Sequence, residues 1–362
     1  MHDVVVVGAG PVGSRYARSA ASRGRDVLVL EAGTVGRPLA CSGHVSRDIW
    51  SYLPPDASTD LLQNEIYGAR FHLDGPERAA YPFYQETPIS NVIDRVGLDR
   101  RLADVAEDAG ADLRENHTVT DVEERDDCAV VTVRTPDGTE TVRASVVAGA
   151  DGPRSRVRDA VSLPEPDELL HGVLGFDPTV DAANFVDVHL TVPGFFAWRI
   201  PRGDAGVEYG LAVAPGDDAS DRFEAFTSAY EATIDRRCSG AIPIGPPDRT
   251  VSDRVFLLGD AAGQTKPFTG GGILYGLQAA DIAAETIDPD RPATLTEYER
   301  VWRDELLTEI RLGRWIRSGY SLPEPLQRLG LWTFSGEIGV HMDRPSSLFS
   351  MAQLRALLSR HS

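Results

Sequence analysis

Lysine is almost absent from this sequence: Lys266 is the only one, and the rest of the 36 basic residues are arginine. Aspartate and glutamate number 55, so the formal net charge is −19. A surface of that sign repels polyanions, which excludes nucleic acid as a favoured partner. The near absence of lysine beside so many carboxylates indicates adaptation to a highly saline cytoplasm, because dissolved salt screens the repulsion within the compact chain.

Cysteine is also scarce. Cys41, Cys128 and Cys238 are widely spaced and form no CxxC pair or Cys/His cluster, which excludes a disulfide framework and a zinc site. No apolar run approaches the roughly 20 residues that a membrane-spanning helix requires. The first residues also lack the basic region, apolar region and cleavage site of a secretion signal. We therefore expect a cytoplasmic protein that, if it meets a membrane, lies at its inner face.

A glycine-rich turn, GAGPVG at residues 8–13, follows the first apolar run and precedes a helical pattern. In a dinucleotide-binding fold the first glycine permits a tight turn, the second lets a pyrophosphate approach the backbone, and the third lets helix and strand pack closely. The phosphates then meet the positive end of the helix dipole. Glu31, at the end of the second apolar run, is placed to accept hydrogen bonds from ribose hydroxyls. The predicted nucleotide contacts are Gly8, Gly10, Gly13 and Glu31, and they do not decide between FAD and NAD.

A second glycine cluster favours FAD over NAD. GDAAG at residues 259–263 follows an apolar run, and KPFTGGGI at residues 266–273 precedes another helical pattern. A carboxylate at a strand end can bind ribityl hydroxyls, and the bare N–H groups of the glycine run can stabilise negative charge on a reduced isoalloxazine. An NAD site has no use for this second cluster, so the sequence predicts FAD. The predicted flavin contacts are Asp260, Gly270, Gly271, Gly272 and Ile273.

Alternation of short apolar runs with helical periodicity predicts an α/β fold. We expect a Rossmann-like FAD-binding domain with an inserted, mostly antiparallel sheet domain for the substrate and a C-terminal helical tail. The predicted FAD-binding domain comprises residues 1–41, 91–160 and 251–287. The predicted sheet domain comprises residues 42–90 and 161–250, and the tail residues 288–362. The patterns further predict separate strands at 139–143 and 145–150 and a helix at 219–234.

Two further segments resemble elements of the p-hydroxybenzoate-hydroxylase-like flavoprotein superfamily. These are Arg95 with Asp99 at the head of a helix, and ADGPRSRVR at residues 150–158. The resemblance implies that the helix arginine contacts the cofactor and that the Asp151-Gly152 pair lies behind it. From the residues alone, Arg95 can equally form a surface salt bridge with Asp99, and Asp151 can be a structural turn residue.

Within that superfamily, three segments resemble the geranylgeranyl reductase family, whose members saturate isoprenoid chains of archaeal lipids, chlorophyll precursors or quinones. They are PLACSGHVS at 38–46, FFAWRIP at 195–201 and PFTGGGI at 267–273. In the second segment Phe196 replaces the tyrosine and Ile200 the phenylalanine of the family's Y-x-W-x-F-P pattern. The resemblance makes Pro267 a substrate-contact candidate and places Cys41 near flavin and substrate.

The side chains of these segments admit two interpretations each. On a strand, Phe196, Trp198 and Ile200 point to one face, where they form either the apolar wall of a polyprenyl groove or an ordinary sheet core. In the family reading the Cys41 thiol positions or protonates an alkene carbon while flavin delivers hydride to its neighbour. Otherwise Cys41 is a small buried cysteine in a close-packed turn. His44 is a weaker candidate for a role in the same region.

The region 296–320 carries apolar residues at helical spacing followed by Arg311, Arg314, Trp315 and Arg317. This cluster either rests on anionic lipid headgroups, or packs on the body of the protein with its arginines paired to carboxylates. The predicted function is FAD-dependent reduction of carbon–carbon double bonds in geranylgeranyl-type lipids. Because no second GxGxxG segment exists to hold a nicotinamide in its own domain, the electrons come from an external donor, a ferredoxin or NAD(P)H. Menaquinone side-chain reduction, aromatic monooxygenation and flavin binding without turnover stay open as alternatives.

Overall fold

The computed structural model describes residues 1–37, 41–338, 341 and 343–349. Residues 38–40 of the proline–cysteine segment and residues 350–362 of the predicted tail therefore lie outside the described residues. Within the described part, the strands are β1 His2–Val7, β2 Val27–Leu30, β3 His44–Ser46, β4 Leu62–Ile66, β5 Gly68–His72, β6 Tyr81–Tyr84, β7 Ser90–Ile93, β8 Asp112–Arg114, β9 Thr118–Glu124, β10 Ala129–Thr135, β11 Gly138–Gly149, β12 Glu168–Asp177, β13 Phe185–His189, β14 Ala197–Pro201, β15 Val207–Val213, β16 Arg236–Ile244, β17 Val255–Leu257 and β18 Gly336–Glu337. The α-helices there are α1 Pro11–Ala21, α2 Ala57–Leu61, α3 Arg95–Asp108, α4 Arg156–Ala160, α5 Ala219–Ser228, α6 Ile273–Thr286, α7 Leu295–Ser318 and α8 Glu324–Phe334.

A seven-stranded sheet has the order β8-β2-β1-β11-β10-β9, with β17 also paired to β11. Strands β8, β2, β1, β11 and β17 pair parallel with one another, whereas the β10–β11 and β9–β10 pairings are antiparallel. Helices α1, α3, α6 and α7 pack on one face of β1 and β2, and side chains of α4, β9 and β10 share a core cluster with the other face of these two strands. Because β1 is buried on both faces, its sequence is a continuous β-branched run rather than an alternating one. The predicted Rossmann-like α/β fold is confirmed.

Strand β11 corrects one prediction, because residues 139–143 and 145–150 do not form two strands. Its first half, from Gly138, pairs antiparallel with β10, and its second half, from Ala144, pairs parallel with β1. The first half is largely exposed and the second half fully buried. The change in hydrophobic pattern near residue 144 therefore marks a change of surroundings and not a break in the chain.

Helix α7 packs on the body of the protein. Trp302, Leu306 and Ile310 are buried in the same core cluster as β1 and α1, and the Trp302 indole N–H donates to Thr250 Oγ1 at 3.3 Å. Burial of each such side chain contributes about 1.5–3 kcal/mol. Further along, Arg314 is paired with Asp167 and Arg317 with Glu168. Of the two interpretations of region 296–320, the structure therefore shows the packed helix with paired arginines.

An eight-stranded sheet has the order β16-β12-β15-β14-β13-β5-β6-β18. Five of its seven pairings are antiparallel and two, β13 with β5 and β18 with β6, are parallel. This is the mostly antiparallel sheet that the sequence predicts. Side chains alternate along β13: Val186 and Val188 face a large cavity, whereas Asp187 and His189 lie on the opposite face with His72.

Helix α5 covers that opposite face and is shorter than predicted. It ends at Ser228, not at residue 234. The chain turns at Glu231, whose φ of 53° lies in the left-handed region. Thr233 N–H then donates to Asp177 Oδ2 at 2.7 Å, and Asp235 N–H donates to the Phe176 carbonyl at 3.0 Å. These bonds hold residues 233–235 against the C-terminal end of β12. Tertiary contacts therefore override the local helical pattern.

A small sheet of β3, β7 and β4 joins the two larger ones. Its residues Val45 and Ile93 share a core cluster with Leu98 of α3 and Leu277 of α6. Part of the 42–90 segment thus packs on helices of the predicted FAD-binding domain, whereas β5 and β6 of the same segment belong to the eight-stranded sheet. The domain boundaries themselves stay a prediction. No helix among the described residues has both the length and the hydropathy needed to cross a bilayer.

Candidate active site

The turn between β1 and α1 brings bare backbone to an open space. A Cβ atom on Gly8, whose φ is +97°, would lie 2.5 Å from the Ala150 carbonyl oxygen. One on Gly13 would lie 2.0 Å from the Gly8 carbonyl oxygen. By contrast, nothing lies within 4 Å of a Cβ built on Gly10, which faces two cavities. Helix α1 begins here with Pro11 and no side-chain cap, so its N–H groups and positive dipole end are available to an anion.

Glu31 lies beside this turn. Its carboxylate accepts hydrogen bonds from the Ala9 N–H at 2.8 Å and the Gly33 N–H at 3.1 Å. Each carboxylate oxygen has a second lone pair, which leaves acceptor capacity for hydroxyl groups. Glu31 lines a cavity of about 330 Å³ together with Gly8, Gly10, Asp151 and other residues of the β-strand ends. This cavity has the size and polarity for a nucleoside.

Asp151, at the rim of the same cavity, has a structural role. It accepts hydrogen bonds from Ser155 Oγ at 2.6 Å and from the N–H groups of Arg156 at 2.8 Å and Val157 at 3.2 Å. These bonds hold the start of α4. The turn interpretation of Asp151 is therefore what the structure shows.

Asp260 and the glycine run lie on the other side of Gly10. Asp260 follows β17, and burial raises the pKa of its carboxyl to about 6, although the Arg95 charge opposes the rise. Among the described residues no hydrogen bond reaches this carboxylate. A Cβ on Gly272 would come within 2.9 Å of Asp260 Oδ1, so only glycine lets the start of α6 approach it this closely. Helix α6 has no side-chain cap, and its first residue, Ile273, lines the large cavity with residues 270–272.

Arg95 links Cys41 to Asp99. Its Nη1 group donates to Cys41 Sγ at 2.7 Å and its Nη2 group to Asp99 Oδ1 at 2.7 Å. All three side chains are at least half buried, so the Arg95–Asp99 pair is not a surface salt bridge. Arg95 Nε is buried without a partner in the described part of the protein. Arg95 and Cys41 both line the large cavity.

The Cys41 thiol is neutral near pH 7. Burial raises the pKa of the thiol, and the Arg95 charge opposes this rise without reversing it. A neutral thiol retains a proton that it can donate. The adjacent guanidinium can then stabilise the thiolate that remains.

The large cavity, of about 760 Å³, is mostly apolar. It shares the lining residues Gly10 and Ala150 with the smaller cavity, so the two cavities lie next to each other. Near Gly10 its lining is the glycine loops, Asp260, Arg95 and Cys41. Away from that end the lining comes from Ile66 of β4, the inner face of the eight-stranded sheet and the helix α8. The sheet and α8 contribute Phe71, Leu174, Val186, Val188, Phe196, Trp198, Ile200, Leu326, Leu331 and Phe334.

Phe196, Trp198 and Ile200 all line this cavity, as the strand alternation predicts. Pro267 does not: it packs against Gly313 of α7, while its neighbours Lys266 and Phe268 reach the cavity. The structure therefore places Pro267 away from the space that the other predicted substrate contacts surround.

A buried ion pair orients Trp198. Its indole N–H donates to Glu208 Oε1 at 3.0 Å, and Arg202 Nη1 donates to Glu208 Oε2 at 2.8 Å. Glu208 is fully buried, and the two donors give each of its carboxylate oxygens a hydrogen bond. Gly210 gives the indole its room, since a Cβ there would lie 2.3 Å from the ring. The sequence analysis missed this arrangement, in which β15 places Gly210 opposite Trp198 and Glu208 opposite the neighbouring Ile200.

Polar groups gather at the cavity end near Cys41. His44 Nε2 lies 2.7 Å from Ser90 Oγ, and burial lowers the pKa of His44 to about 4, which keeps its ring neutral. Lys266, which is buried, donates to Asp343 Oδ1 at 2.5 Å. No local signal connects residue 343 to residue 266, so the sequence analysis missed this pair.

The comparisons with known proteins agree with this geometry. A model described as an FAD binding domain matches residues 55–237. The chain is 32% identical over 337 residues to digeranylgeranylglycerophospholipid reductase 1 of Methanococcoides burtonii, with 85% of this chain and 81% of that protein covered. The chain belongs to the digeranylgeranylglycerophospholipid reductase family. It is also 33% identical over 335 residues to the reductase of that name from Methanothrix thermoacetophila, covering 85% of this chain and 84% of that protein.

A solved structure shows the same fold. A geranylgeranyl bacteriochlorophyll reductase-like protein from Thermoplasma acidophilum superposes with a TM-score of 0.83 at 22% identity, over 99% of this chain and 95% of that one. Family membership confirms both the predicted resemblance and FAD as the cofactor. The residues present fit FAD: Gly10 offers open backbone to two adjoining cavities, and Asp260 and Arg95, whose buried Nε has no partner among the described residues, line the larger of them.

Proposed function

We propose that this protein uses FAD to saturate carbon–carbon double bonds of geranylgeranyl chains in membrane lipid biosynthesis. The observation that carries the proposal is the apolar cavity, which begins among the flavin-contact candidates and continues along an apolar sheet face. Pockets of 300–1,000 Å³ with a few polar groups are typical of small-molecule sites. Here the polar groups stand at one end, and the rest of the lining offers a prenyl chain only apolar contact.

In this proposal different residues bind the two ends of the FAD molecule. Gly8, Gly10, Gly13 and Glu31 hold the pyrophosphate and the adenosine ribose. Asp260 holds the ribityl hydroxyls, and the N–H groups at residues 270–273 face the isoalloxazine. The pairing of a carboxylate with ribityl hydroxyls accords with the buried position of Asp260, because hydroxyl donors offset its desolvation.

FAD, once reduced, supplies a hydride to one alkene carbon. Cys41 donates its thiol proton to the neighbouring carbon. The C=C bond then becomes a C–C single bond with two new C–H bonds, one from the hydride and one from the thiol, and the sulfur becomes a thiolate. Arg95 stabilises that thiolate until water returns the proton. Phe196, Trp198 and Ile200 hold the chain against the site and exclude water from it.

The two electrons per bond come from an external donor, a reduced nicotinamide or a ferredoxin. We propose further that the protein works at the face of the membrane that contains its lipid substrate. The absence of a second GxGxxG segment supports the external donor, since the chain has no separate nicotinamide-binding turn.

The test is anaerobic reduction of a digeranylgeranylglycerophospholipid by the FAD-loaded protein with dithionite as reductant. Mass spectrometry should show one pair of hydrogen atoms gained per double bond. The variant Ala69→Trp should retain flavin absorbance but lose this activity, because Ala69 lines the cavity and an indole there would fill it. No mass gain with the wild-type protein would refute the proposed function. A gain only with menaquinone would redirect the proposal to quinone side chains.

Salt should stabilise this protein. A formal charge of −19 and surface carboxylates in excess of arginine produce self-repulsion that ions screen. We expect the melting temperature to rise steadily as potassium chloride increases toward molar concentration. Differential scanning fluorimetry measures this, with sucrose at matched osmolarity as the control for non-ionic stabilisation. Greatest stability in dilute buffer would rule out the proposed adaptation to a saline cytoplasm.

A further inference from the structure

Helix α8 presents an apolar surface to the outside. No residue of this helix is buried. Leu326, Leu329 and Trp332 are 52%, 59% and 70% exposed, and the flanking Leu322 is 47% exposed. On a monomeric protein, contiguous exposed apolar side chains of this size mark an interaction site. We name Leu322 together with helix α8 the α8 surface.

The α8 surface is electrically neutral, unlike the rest of the chain. Glu324 and Arg328 are its only charged residues, and they are paired with each other one turn apart. The nearest arginines of α7, Arg314 and Arg317, are paired with carboxylates of the sheet domain. A neutral apolar surface on a protein of charge −19 suits a partner that offers hydrocarbon and needs no attraction between charges.

The same helix is a wall of the cavity. Leu322, Leu326 and Phe334 are about half exposed and also line the cavity, so the cavity opens at the α8 surface. Leu331, on the inner side of α8, continues the apolar lining inward. An apolar chain that passes from outside into the cavity therefore stays in contact with apolar side chains.

The helix is tied to the cavity rim rather than to the core. Gln327 Nε2 donates to the Tyr320 carbonyl at 2.7 Å, and the Tyr320 hydroxyl donates to the Phe268 carbonyl at 2.8 Å. Phe268 lines the cavity beside the glycine run. These bonds fix the start of α8 at the cavity opening, while Leu329 and Trp332 project without lining it.

We propose that the α8 surface lies in the interfacial layer of a lipid bilayer, and that the cavity takes up the prenyl chain of the substrate directly from the hydrocarbon. The inference rests on the proposed function for the nature of the chain. A bilayer is favoured over a protein partner because the apolar path is continuous from the surface to the cavity, which docking of a protein would close. Trp332 suits the level of the headgroups, where amphipathic rings concentrate.

The test is flotation of the full-length, FAD-loaded protein with phosphatidylcholine vesicles in molar potassium chloride. The double variant Leu329→Gln/Trp332→Gln should bind roughly tenfold or more weakly, because two large side chains no longer enter hydrocarbon. Val180→Gln is the matched control, since Val180 is 62% exposed in a loop of the sheet domain. Replacing part of the phosphatidylcholine with phosphatidylglycerol should change binding little, because the surface is neutral.

A second measurement separates this inference from the proposed function. Leu329 and Trp332 do not line the cavity, so the double variant should reduce a short, water-soluble prenyl alcohol at the wild-type rate. If the wild type and the double variant float equally, or if neither floats, the α8 proposal is wrong. The rate of prenyl alcohol reduction still tests the proposed activity in either case. Light scattering tests whether a second copy of the chain binds the α8 surface instead. A wild-type dimer that becomes a monomer in the double variant would assign the surface to that second copy.

Discussion

Replacing Cys41 with alanine should slow alkene reduction by about 10²–10⁴-fold, the usual contribution of a positioned general acid, and should leave the flavin bound. The isolated double bond of an isoprenoid has no electron-withdrawing group, so hydride addition to one carbon needs a proton at the other. The thiol lines the cavity, is protonated near pH 7, and touches a guanidinium that can stabilise the thiolate. Single-turnover oxidation of the dithionite-reduced protein by the prenyl lipid measures the step.

Cys128→Ala is the matched control for this prediction. Cys128 also contacts an arginine, since Arg143 Nε donates to its sulfur at 3.2 Å, but it is buried in the connection between β9 and β10 and lines neither cavity described above. It should turn over like the wild type. The protonated thiol is the donor, so the wild-type rate should fall at high pH as Cys41 loses its proton. Because burial raises the pKa of Cys41, this fall should occur at a higher pH than for an ordinary thiol. A flavin-loaded Cys41→Ala variant with wild-type turnover would exclude the proton-donor role.

Gly8→Ala should yield a protein with little or no bound flavin. At φ +97° an alanine is strained, and its Cβ would lie 2.5 Å from the Ala150 carbonyl oxygen, which is backbone and cannot rotate away. Overpacking of this kind costs about 1–3 kcal/mol beyond the strain itself, and any relief must move the turn that faces the pyrophosphate. Flavin absorbance per mole of purified protein measures the effect.

Gly24→Ala separates backbone strain from the collision. Gly24 has φ +79° in the turn after α1, and nothing lies within 4 Å of a Cβ built there. It should lose about 1 kcal/mol of stability and keep its flavin. Full flavin content in Gly8→Ala, with a melting curve like that of Gly24→Ala, would show that the turn does not need glycine at residue 8.

The sequence predicted the parts of the molecule whose physics is local. The turn at residues 8–13, the carboxylate of Asp260 and the glycine run at 270–272 each need particular residue types in a short stretch, so their patterns are readable. Strand alternation likewise predicted that Phe196, Trp198 and Ile200 share a face, and the cavity lies against it.

Features that depend on contacts between distant parts of the chain could not be predicted from the sequence. The length of α5 is set by bonds from residues 233 and 235 to β12, and the position of Pro267 by its packing on α7. The pair Lys266–Asp343 joins segments with no shared motif. The α8 surface was missed because its leucines have an ordinary helical pattern, and only the structure shows that none of them is buried.

Strand β1 lies between β2 and β11, so it gains its second neighbour only when residues 144–149 arrive, long after the first β-α-β unit. The carbonyl of Ala150 that abuts Gly8, and the loops at Asp260 and Gly272, come later still. During synthesis on the ribosome, the turn at residues 8–13 is therefore made long before the rest of the nucleotide site. Contacts between segments so far apart in the chain also form slowly. Capture of the cofactor must be among the last events of biosynthesis, after residue 273 has been made, and supply of flavin can then limit how much of the protein reaches its final form.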